Sequence, residues 1–244
     1  MPALLIINAD DFGLTLGINR AIVELHRAGV LTSATLMATG AAFDDAVSLA
    51  LANPSLGVGC HIVLTDGVPA SDPASIPSLL GPDKKSFRPS LLDFVQALLR
   101  GHIREDEIER EAATQIQKLQ QAGIAVTHVD THKHTHLFPG VAGPLLRVLE
   151  RADIQAIRNP FEPGSTLRLT QVLDTLPSDG TFELVCHPGY NDRDLDRLTT
   201  RLRTHREIEM QALRSAVPAR LAQPDAPMLI HFGNLQPAQP QGPR

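Results

Sequence analysis

Short apolar runs alternate with amphipathic stretches along almost the whole chain, and this alternation limits the folds that the chain can adopt. The apolar runs have the length of strands but no strict apolar–polar alternation, which is typical of parallel strands buried on both faces. Seven strands are predicted: Leu4–Asn8, Ser33–Ala38, Leu56–His61, Ala125–Asp130, Gln155–Arg158, Phe182–His187 and Met228–Phe232. The stretches between them predict helices at Gly17–Ala28, Ala42–Ala52, Leu91–Leu99, Glu105–Ala122, Val141–Arg151 and Leu195–Ala216.

These alternating units predict an α/β fold, a distorted (β/α) barrel of about seven parallel strands rather than an open doubly wound sheet. No glycine-rich phosphate loop follows the first strand, which argues against a dinucleotide-binding fold. We expect one domain over residues 1–235 and a disordered tail over residues 236–244. The segment Thr65–Pro89 is rich in Pro, Ser, Gly and Asp, and predicts a long binding loop or lid.

The composition argues against several classes of function. Hydrophobic residues make up 43% and charged residues 20% of the 244 residues, as in soluble globular proteins. The net charge of −5 leaves no excess of Lys and Arg to neutralise phosphates, so nucleic acid is not an expected partner. The apolar segment Ala3–Ile7 is too short for membrane insertion. Cys60 and Cys186 are expected to be reduced thiols, in a cytoplasmic protein.

Two acidic residues, Asp10 and Asp11, lie just beyond the end of the first predicted strand. In a barrel, catalytic groups collect at this carboxyl end of the strands. Adjacent carboxylates point in different directions, so one can bind a metal ion while the other acts on a water molecule. Capping of the next helix by one of them is the alternative interpretation.

Histidines are concentrated after the fourth predicted strand, in the sequence DTHKHTHLF. Four of the ten histidines in the chain lie within the nine residues from His128 to His136. If this segment is extended, His132, His134 and His136 project to one face together with Asp130. A solvated polar loop is the alternative, but three imidazoles and a carboxylate this close are typical of a metal site.

Three further predicted strands end in or near a histidine, at His61, His187 and His231. Histidines with no shared role would be expected at many kinds of position, and not mainly at the ends of strands. The convergence favours a metal-dependent site at the carboxyl face of the barrel. Ligation by His and Asp without Cys suits a divalent zinc, nickel, cobalt, manganese or magnesium ion.

Four motifs, NADDFG, GCHIVLTDG, THVDTHKHTHLFP and ELVCHPG, occur in this order and resemble those of the YdjC-like carbohydrate deacetylases. The resemblance includes Gly17–Gly40 and extends to about Leu235. It implies a distorted (β/α) barrel related to the polysaccharide deacetylases, and removal of an N-acetyl group from an amino sugar. The implied substrate is a small acetylated amino sugar, such as a chitooligosaccharide or an N-acetylglucosaminyl conjugate.

The resemblance also implies roles for individual residues. Asp11, His61 and His132 would hold one divalent metal ion, Mg²⁺ or Zn²⁺, with Ni²⁺, Co²⁺ and Mn²⁺ as alternatives. Asp10 would be the general base that accepts a proton from the attacking water. A metal ion that polarises the amide explains why no Ser or Cys nucleophile is needed.

The remaining site residues carry weaker expectations. His187 is the first candidate for the general acid that protonates the departing amine, and His231 is the second. His134 and His136 would orient His132 or contact the sugar. Arg158 would hydrogen-bond a sugar hydroxyl or a carboxylate, or form a structural ion pair.

Two other functions remain open from the sequence. One is a metal-dependent hydrolase that cleaves a different amide or a phosphoester on the same type of barrel. The other is a non-catalytic protein that binds carbohydrate or metal, although such a protein would be expected to lose the base, the ligands or the acid. A homodimer is expected only because it is the commonest assembly.

Overall fold

A parallel β-sheet forms the centre of the protein. The computed structural model describes residues 2–158, 169–198, 200 and 202–235. The described strands run in the order β4-β3-β2-β1-β5, all pairs are parallel, and β6 pairs with the start of β1. Their bounds are β1 Leu4–Phe12, β2 Ser33–Leu36, β3 Gly57–Ile62, β4 Val129–Thr131, β5 Thr181–Cys186 and β6 Met228–Leu229. The predicted α/β fold, a distorted barrel of parallel strands, is confirmed as a curled parallel sheet, and six of the about seven predicted strands are present among the described residues.

Helices connect successive strands, as in the predicted pattern. None of the helices within the described ranges combines the length and the apolar character that crossing a bilayer requires. The predicted helix Leu195–Ala216 is replaced by two shorter helices. The described helices are α1 Leu16–Arg27, α2 Phe43–Leu51, α3 Leu91–Leu99, α4 Glu105–Gln121, α5 Pro139–Arg151, α6 Leu169–Asp174, α7 Arg193–Asp196 and α8 Thr204–Leu221.

Two expectations about local structure differ from the observed fold. The predicted strand Gln155–Arg158 contributes one isolated parallel bridge, between Ile157 and Val129, and no longer ladder. The extended conformation considered for the segment after β4 is not observed, because the chain enters a 3₁₀ turn at His132. Lys133 and His134 have φ angles of 56° and 52°, left-handed values that turn the chain sharply. The predicted tail over 236–244 lies outside the described residues.

The two faces of the sheet bury different kinds of side chain. In β1, Leu5, Ile7 and Ala9 join the hydrophobic core that the helices cover. Asn8 and Asp10 alternate with them and point into the interior of the curled sheet, where both are buried. The concave interior of the sheet is therefore polar. Polar residues at the ends of neighbouring strands point into this same interior.

The amino-terminal end of this interior is closed by stacked rings. The imidazole of His128 lies 3.9 Å from the ring of Phe232, nearly parallel to it, and its Nε2 atom lies 3.1 Å from Asn8 Oδ1. Burial lowers the pKa of His128 to about 3, so the ring is neutral. A Cβ atom at Gly59 would lie 2.5 Å from this ring, so only glycine leaves room for it. A functional site must therefore open at the other end of the sheet.

The long loop Thr65–Pro89 after β3 is tied to helix α4. The buried carboxylate of Glu111 accepts hydrogen bonds from the backbone N–H groups of Ala70 and Ser71, at 2.8 and 2.9 Å. A hydrogen bond accepted by a charged carboxylate is stronger than one accepted by a neutral group, so it holds the backbone more firmly. The loop is therefore held as a wall against α4.

Candidate metal centre and active site

Asp11, His61 and His132 each bring one ligand atom to a common point at the carboxyl end of the sheet. Asp11 Oδ1 lies 3.5 Å from His61 Nε2 and 3.5 Å from His132 Nδ1, and the two nitrogens are 3.3 Å apart. Ligand atoms about 2.1 Å from a tetrahedral ion are about 3.4 Å from one another. The three atoms therefore have the spacing of one face of a metal coordination sphere, and the residue types fit a divalent ion.

A β-bulge brings both adjacent carboxylates to this space. The pairing of β1 with β2 shifts register between Ala9 and Phe12, and Asp11 has a φ angle of 64°. In a regular strand, Asp10 and Asp11 would point to opposite faces. The left-handed residue re-aims the side chain, as bulges beside active sites often do. Asp tolerates this conformation better than most residues other than glycine.

A carboxylate behind His61 sets the orientation of its ring. His61 Nδ1 lies 2.7 Å from Asp130 Oδ1, which leaves Nε2 directed at Asp11. Burial opposes protonation of His61, but Asp130 and then the two carboxylates of β1 raise its pKa to about 9. Thr35 Oγ1 donates to Asp130 Oδ2 at 3.0 Å. This is the carboxylate–histidine arrangement that orients metal-ligating histidines.

Arg158 is the cation at the base of the site. Its Nη1 and Nη2 atoms donate to the two oxygens of Asp10 at 2.9 and 2.6 Å. Nη2 also lies 2.8 Å from Asp130 Oδ2, and Nε donates to Glu183 Oε1 at 2.9 Å. Its side chain is 2% exposed. Of the two roles expected for Arg158, the structural ion pair is the one observed. Its N–H donors point at carboxylates of the protein rather than into the space for a ligand.

A second acidic group, formed by Asp10, His61 and Asp130, also has the spacing of metal ligands. The guanidinium of Arg158 contacts both carboxylates of that group, at 2.6 and 2.8 Å. A cation already occupies the space that a metal ion would need. The group with Asp11 is therefore the better candidate for the metal centre.

His187 faces Asp10 across the mouth of the site. Its Nε2 atom lies 3.7 Å from Asp10 Oδ2, and its side chain is 28% exposed. The backbone N–H of His187 donates to Glu209 Oε2 of α8 at 2.8 Å, which anchors the turn after β5. This partial exposure beside the buried Asp10 lets the imidazole reach a bound molecule.

His134 and His136 lie beside the site with buried polar atoms. His136 Nδ1 is 2.6 Å from Thr131 Oγ1, whereas His136 Nε2 and His134 Nδ1 have no hydrogen-bond partner among the described residues. Burial lowers the pKa of both rings, that of His136 to about 4, so both are neutral. Both rings are therefore neutral groups whose unpaired nitrogens are buried.

His231 lies at the opposite end of the sheet. A Cβ atom at Gly57, the first residue of β3, would lie 2.7 Å from His231 Cβ. Its Nδ1 atom accepts a hydrogen bond from Gly233 N at 3.1 Å and caps the last 3₁₀ turn. The structure therefore does not bring His231 to the cluster around Asp10.

The structure adds residues that the sequence analysis did not select. Glu183 belongs to β5, and a single Glu in the apolar run TFELVC was a signal of an inward-facing charge. Arg206 and Glu209 belong to α8, where they lie in a helical stretch with many other charges. Nothing in that stretch distinguishes a buried charge from an exposed one, so these two needed the tertiary structure.

We predict that the buried carboxyl group of Glu183 makes the stability of the folded protein depend on pH. Burial raises the pKa of Glu183 to about 7, and repulsion from Asp130 and Asp10 adds to this rise. The attraction of Arg158 lowers the pKa and offsets only part of it. The pKa of Glu183 is higher in the folded state than in the unfolded state, where it is near 4.5. The contribution of Glu183 to the stability of the folded protein is therefore complete below pH 4.5 and is lost as the pH rises through about 7. We expect Glu183→Gln to raise the free energy of unfolding at pH 8 by up to about 3 kcal/mol, and far less at pH 5.

Urea denaturation of both proteins between pH 5 and pH 8.5 measures this effect. The wild-type protein should lose stability relative to the variant across this range. Parallel curves for the two proteins would show that Glu183 does not titrate near neutral pH.

Comparisons with known proteins show the family to which this chain belongs. The family described as YdjC-like protein matches residues 4–171. A carbohydrate deacetylase of Brevibacillus brevis is 40% identical over 176 residues, 72% of this chain and 66% of that protein. One of Geobacillus stearothermophilus is 35% identical, over 79% of this chain and 82% of that protein. A chitooligosaccharide deacetylase of Salmonella paratyphi C is 35% identical, over 79% and 84% of the two chains.

One solved structure supports the fold independently. It is a protein of Enterococcus faecalis V583 named for the cleavage of cellobiose-phosphate, with a TM-score of 0.82 and 24% identity. The similarity covers 95% of this chain and 98% of the other. The family match spans residues 4–171, which include Asp10, Asp11, His61 and His132, and this chain is a member of the YdjC-like family.

Proposed function

We propose that this protein is a metal-dependent carbohydrate deacetylase that hydrolyses the N-acetyl group of a small acetylated amino sugar. The observation that carries the proposal is a set of three converging metal-ligand atoms with a second carboxylate, Asp10, directly beside it. Relatives named carbohydrate deacetylase and chitooligosaccharide deacetylase support this reaction. A chitooligosaccharide or an N-acetylglucosaminyl conjugate is the proposed substrate.

Asp11, His61 and His132 would hold one divalent ion, for which we propose Mg²⁺ or Zn²⁺, with Ni²⁺, Co²⁺ or Mn²⁺ as alternatives. When bound, such an ion polarises the amide carbonyl and makes a water molecule more acidic. The donor set of the site supports this assignment. One carboxylate oxygen and two imidazole nitrogens lie 3.3 to 3.5 Å from one another, which suits a divalent ion.

Asp10 is proposed as the general base. The two-pronged contact from Arg158 fixes the plane of its carboxylate, so the proton acceptor is held in one orientation. His187, 3.7 Å away, is proposed as the general acid that gives a proton to the leaving amine. The water proton thus goes to Asp10, the amine takes its proton from His187, and acetate is released.

For His134 and His136 we propose either support of the segment that carries His132 or contact with the sugar. Contact through their unpaired ring nitrogens, which are buried, would require this segment to open. The loop after β3 would form one wall of the sugar site. Its Asp66 is joined to Lys133 by an ion pair of 2.6 Å, and a cavity of about 490 Å³ lies along the loop. The cytoplasmic location, the single domain and the homodimer stay predictions.

Two measurements test the proposal together: metal analysis of the purified protein, and acetate release from a panel of acetylated amino sugars. We expect about one divalent ion per chain, with acetate and free amine formed in equal amounts. Chelation should stop turnover, and His132→Ala should remove both metal and activity. His102→Ala, which changes an exposed histidine, is the matched control. Cleavage of a phosphoester or another amide without acetate release would favour the alternative hydrolase.

A further inference from the structure

An arginine of α8 contacts the carboxylate of the metal centre. Arg206 is 1% exposed, and its Nη2 atom donates to Asp11 Oδ2 at 2.5 Å. The Nε atom donates to the backbone oxygen of Leu202 at 3.0 Å, and Nη1 donates to that of His187 at 3.4 Å. All three nitrogens of the guanidinium are therefore engaged, and the group is fixed on several sides.

The two oxygens of Asp11 have separate surroundings. Oδ1 is the atom that lies 3.5 Å from both His61 Nε2 and His132 Nδ1, whereas Oδ2 faces Arg206. Backbone packing keeps the arginine in place, because a Cβ atom at Gly189 would lie 3.1 Å from Arg206 Cδ. The carboxylate cannot rotate to offer Oδ2 to the ligand cluster without breaking this ion pair.

We propose that Arg206 is a positioning residue that restricts Asp11 to binding the metal ion through Oδ1 alone. The inference rests on the proposed function, in which Asp11, His61 and His132 hold a divalent ion. Carboxylates can bind a metal ion through one oxygen or two, and a second oxygen would fill a position that a catalytic site keeps open. Arg206, whose guanidinium is always charged, keeps Oδ2 engaged and that position free.

This role differs from simple neutralisation of a buried charge. If Arg206 only balanced the charge of Asp11, a bound divalent ion would take over that task and the variant would work normally once loaded. If Arg206 controls how Asp11 binds, the loaded variant still carries its metal ion but has an altered coordination. The two roles therefore separate in the metal-loaded protein.

The test uses Co²⁺, whose visible absorption weakens as its coordination number rises. The full-length protein, Arg206→Gln and Arg206→Lys are titrated with Co²⁺, and acetate release is measured on the loaded proteins. Arg214→Gln is the matched control, because Arg214 lies on the same helix, is 47% exposed and pairs only at 3.6 Å with Glu24. Circular dichroism establishes that each variant is folded.

For Arg206→Gln we expect a Co²⁺ affinity close to that of the wild type, a clearly weaker visible band per bound Co²⁺, and a kcat lower by about 10- to 100-fold with little change in KM. Arg206→Lys should recover part of the band and part of kcat, and Arg214→Gln should match the wild type. If Arg206→Gln does not fold, Gly189→Ala, whose Cβ atom would lie 2.9 Å from Ile18 Cγ1 and 3.1 Å from Arg206 Cδ, should give the same spectral change in weaker form.

An unchanged spectrum and kcat in the loaded Arg206→Gln protein would overturn the inference and leave the proposed function intact. Loss of Co²⁺ binding in that variant would also overturn it, because Arg206 would then be needed to assemble the ligands. A wild-type protein that binds no Co²⁺ at the Asp11 site would instead overturn the proposed function and, with it, this inference.

Discussion

Replacement of Asp10 by Asn is expected to lower kcat for deacetylation by about 10²- to 10⁴-fold without loss of the metal ion. The amide keeps the shape of the side chain but cannot accept a proton from water. Asp10 lies outside the three-atom ligand cluster, and its oxygens are held by Arg158 at 2.6 and 2.9 Å, so the metal ligands should stay in place.

Acetate release and metal content, measured on the same preparation, test this expectation. Asp194→Asn, which changes an exposed carboxylate of α7, is the control for the loss of one negative charge. Full activity in Asp10→Asn would remove Asp10 from the role of general base. Loss of the metal ion would instead identify Asp10 as a ligand, and the reaction would need another base.

Replacement of Arg158 by Met is expected to lower the free energy of unfolding by about 3–5 kcal/mol, because it leaves buried carboxylates without their cation. Arg158 contacts Asp10, Asp130 and Glu183, and its side chain is only 2% exposed. Deacetylation should also fall, since the plane of Asp10 would no longer be fixed.

Denaturation by urea at pH 7.5, with and without added metal ion, measures the loss of stability. Arg147→Met is the matched control, because Arg147 is 46% exposed and pairs with glutamates on α4, a solvent-screened surface interaction that contributes little to stability. Equal effects of the two substitutions would mean that the carboxylates around Arg158 are protonated or solvated in the folded protein. A partial recovery on adding Asp130→Asn to Arg158→Met would identify the uncompensated charge as the cause.

Much of the site followed from the order of residues along the chain. One predicted strand is followed by two carboxylates, and others end at histidines. Because parallel strands end at the same edge of a sheet, these residues are expected to lie together there. The expectation that Asp11, His61 and His132 lie together depended on that rule and on the family motifs. Their ligand atoms do stand 3.3 to 3.5 Å apart.

The same rule did not work for every histidine. His231 follows β6, but this strand pairs with only the first two residues of β1, so its end lies near the amino-terminal end of the sheet. His134 and His136 do not alternate as strand residues, because left-handed turns at Lys133 and His134 intervene. The positions of these histidines depend on strand length and on local backbone angles. Neither can be read from the periodicity of the sequence.

The sequence by itself determined the parallel α/β fold, the carboxylate pair at the end of β1 and the histidines that converge on it, because these follow from periodicity and from the edge at which parallel strands end. Only the tertiary structure decided which charges balance one another. Arg158 and Arg206 each hold one member of the Asp10–Asp11 pair from segments far away in the chain. A buried ion pair depends on three-dimensional proximity and shared burial, which no local pattern of residues records.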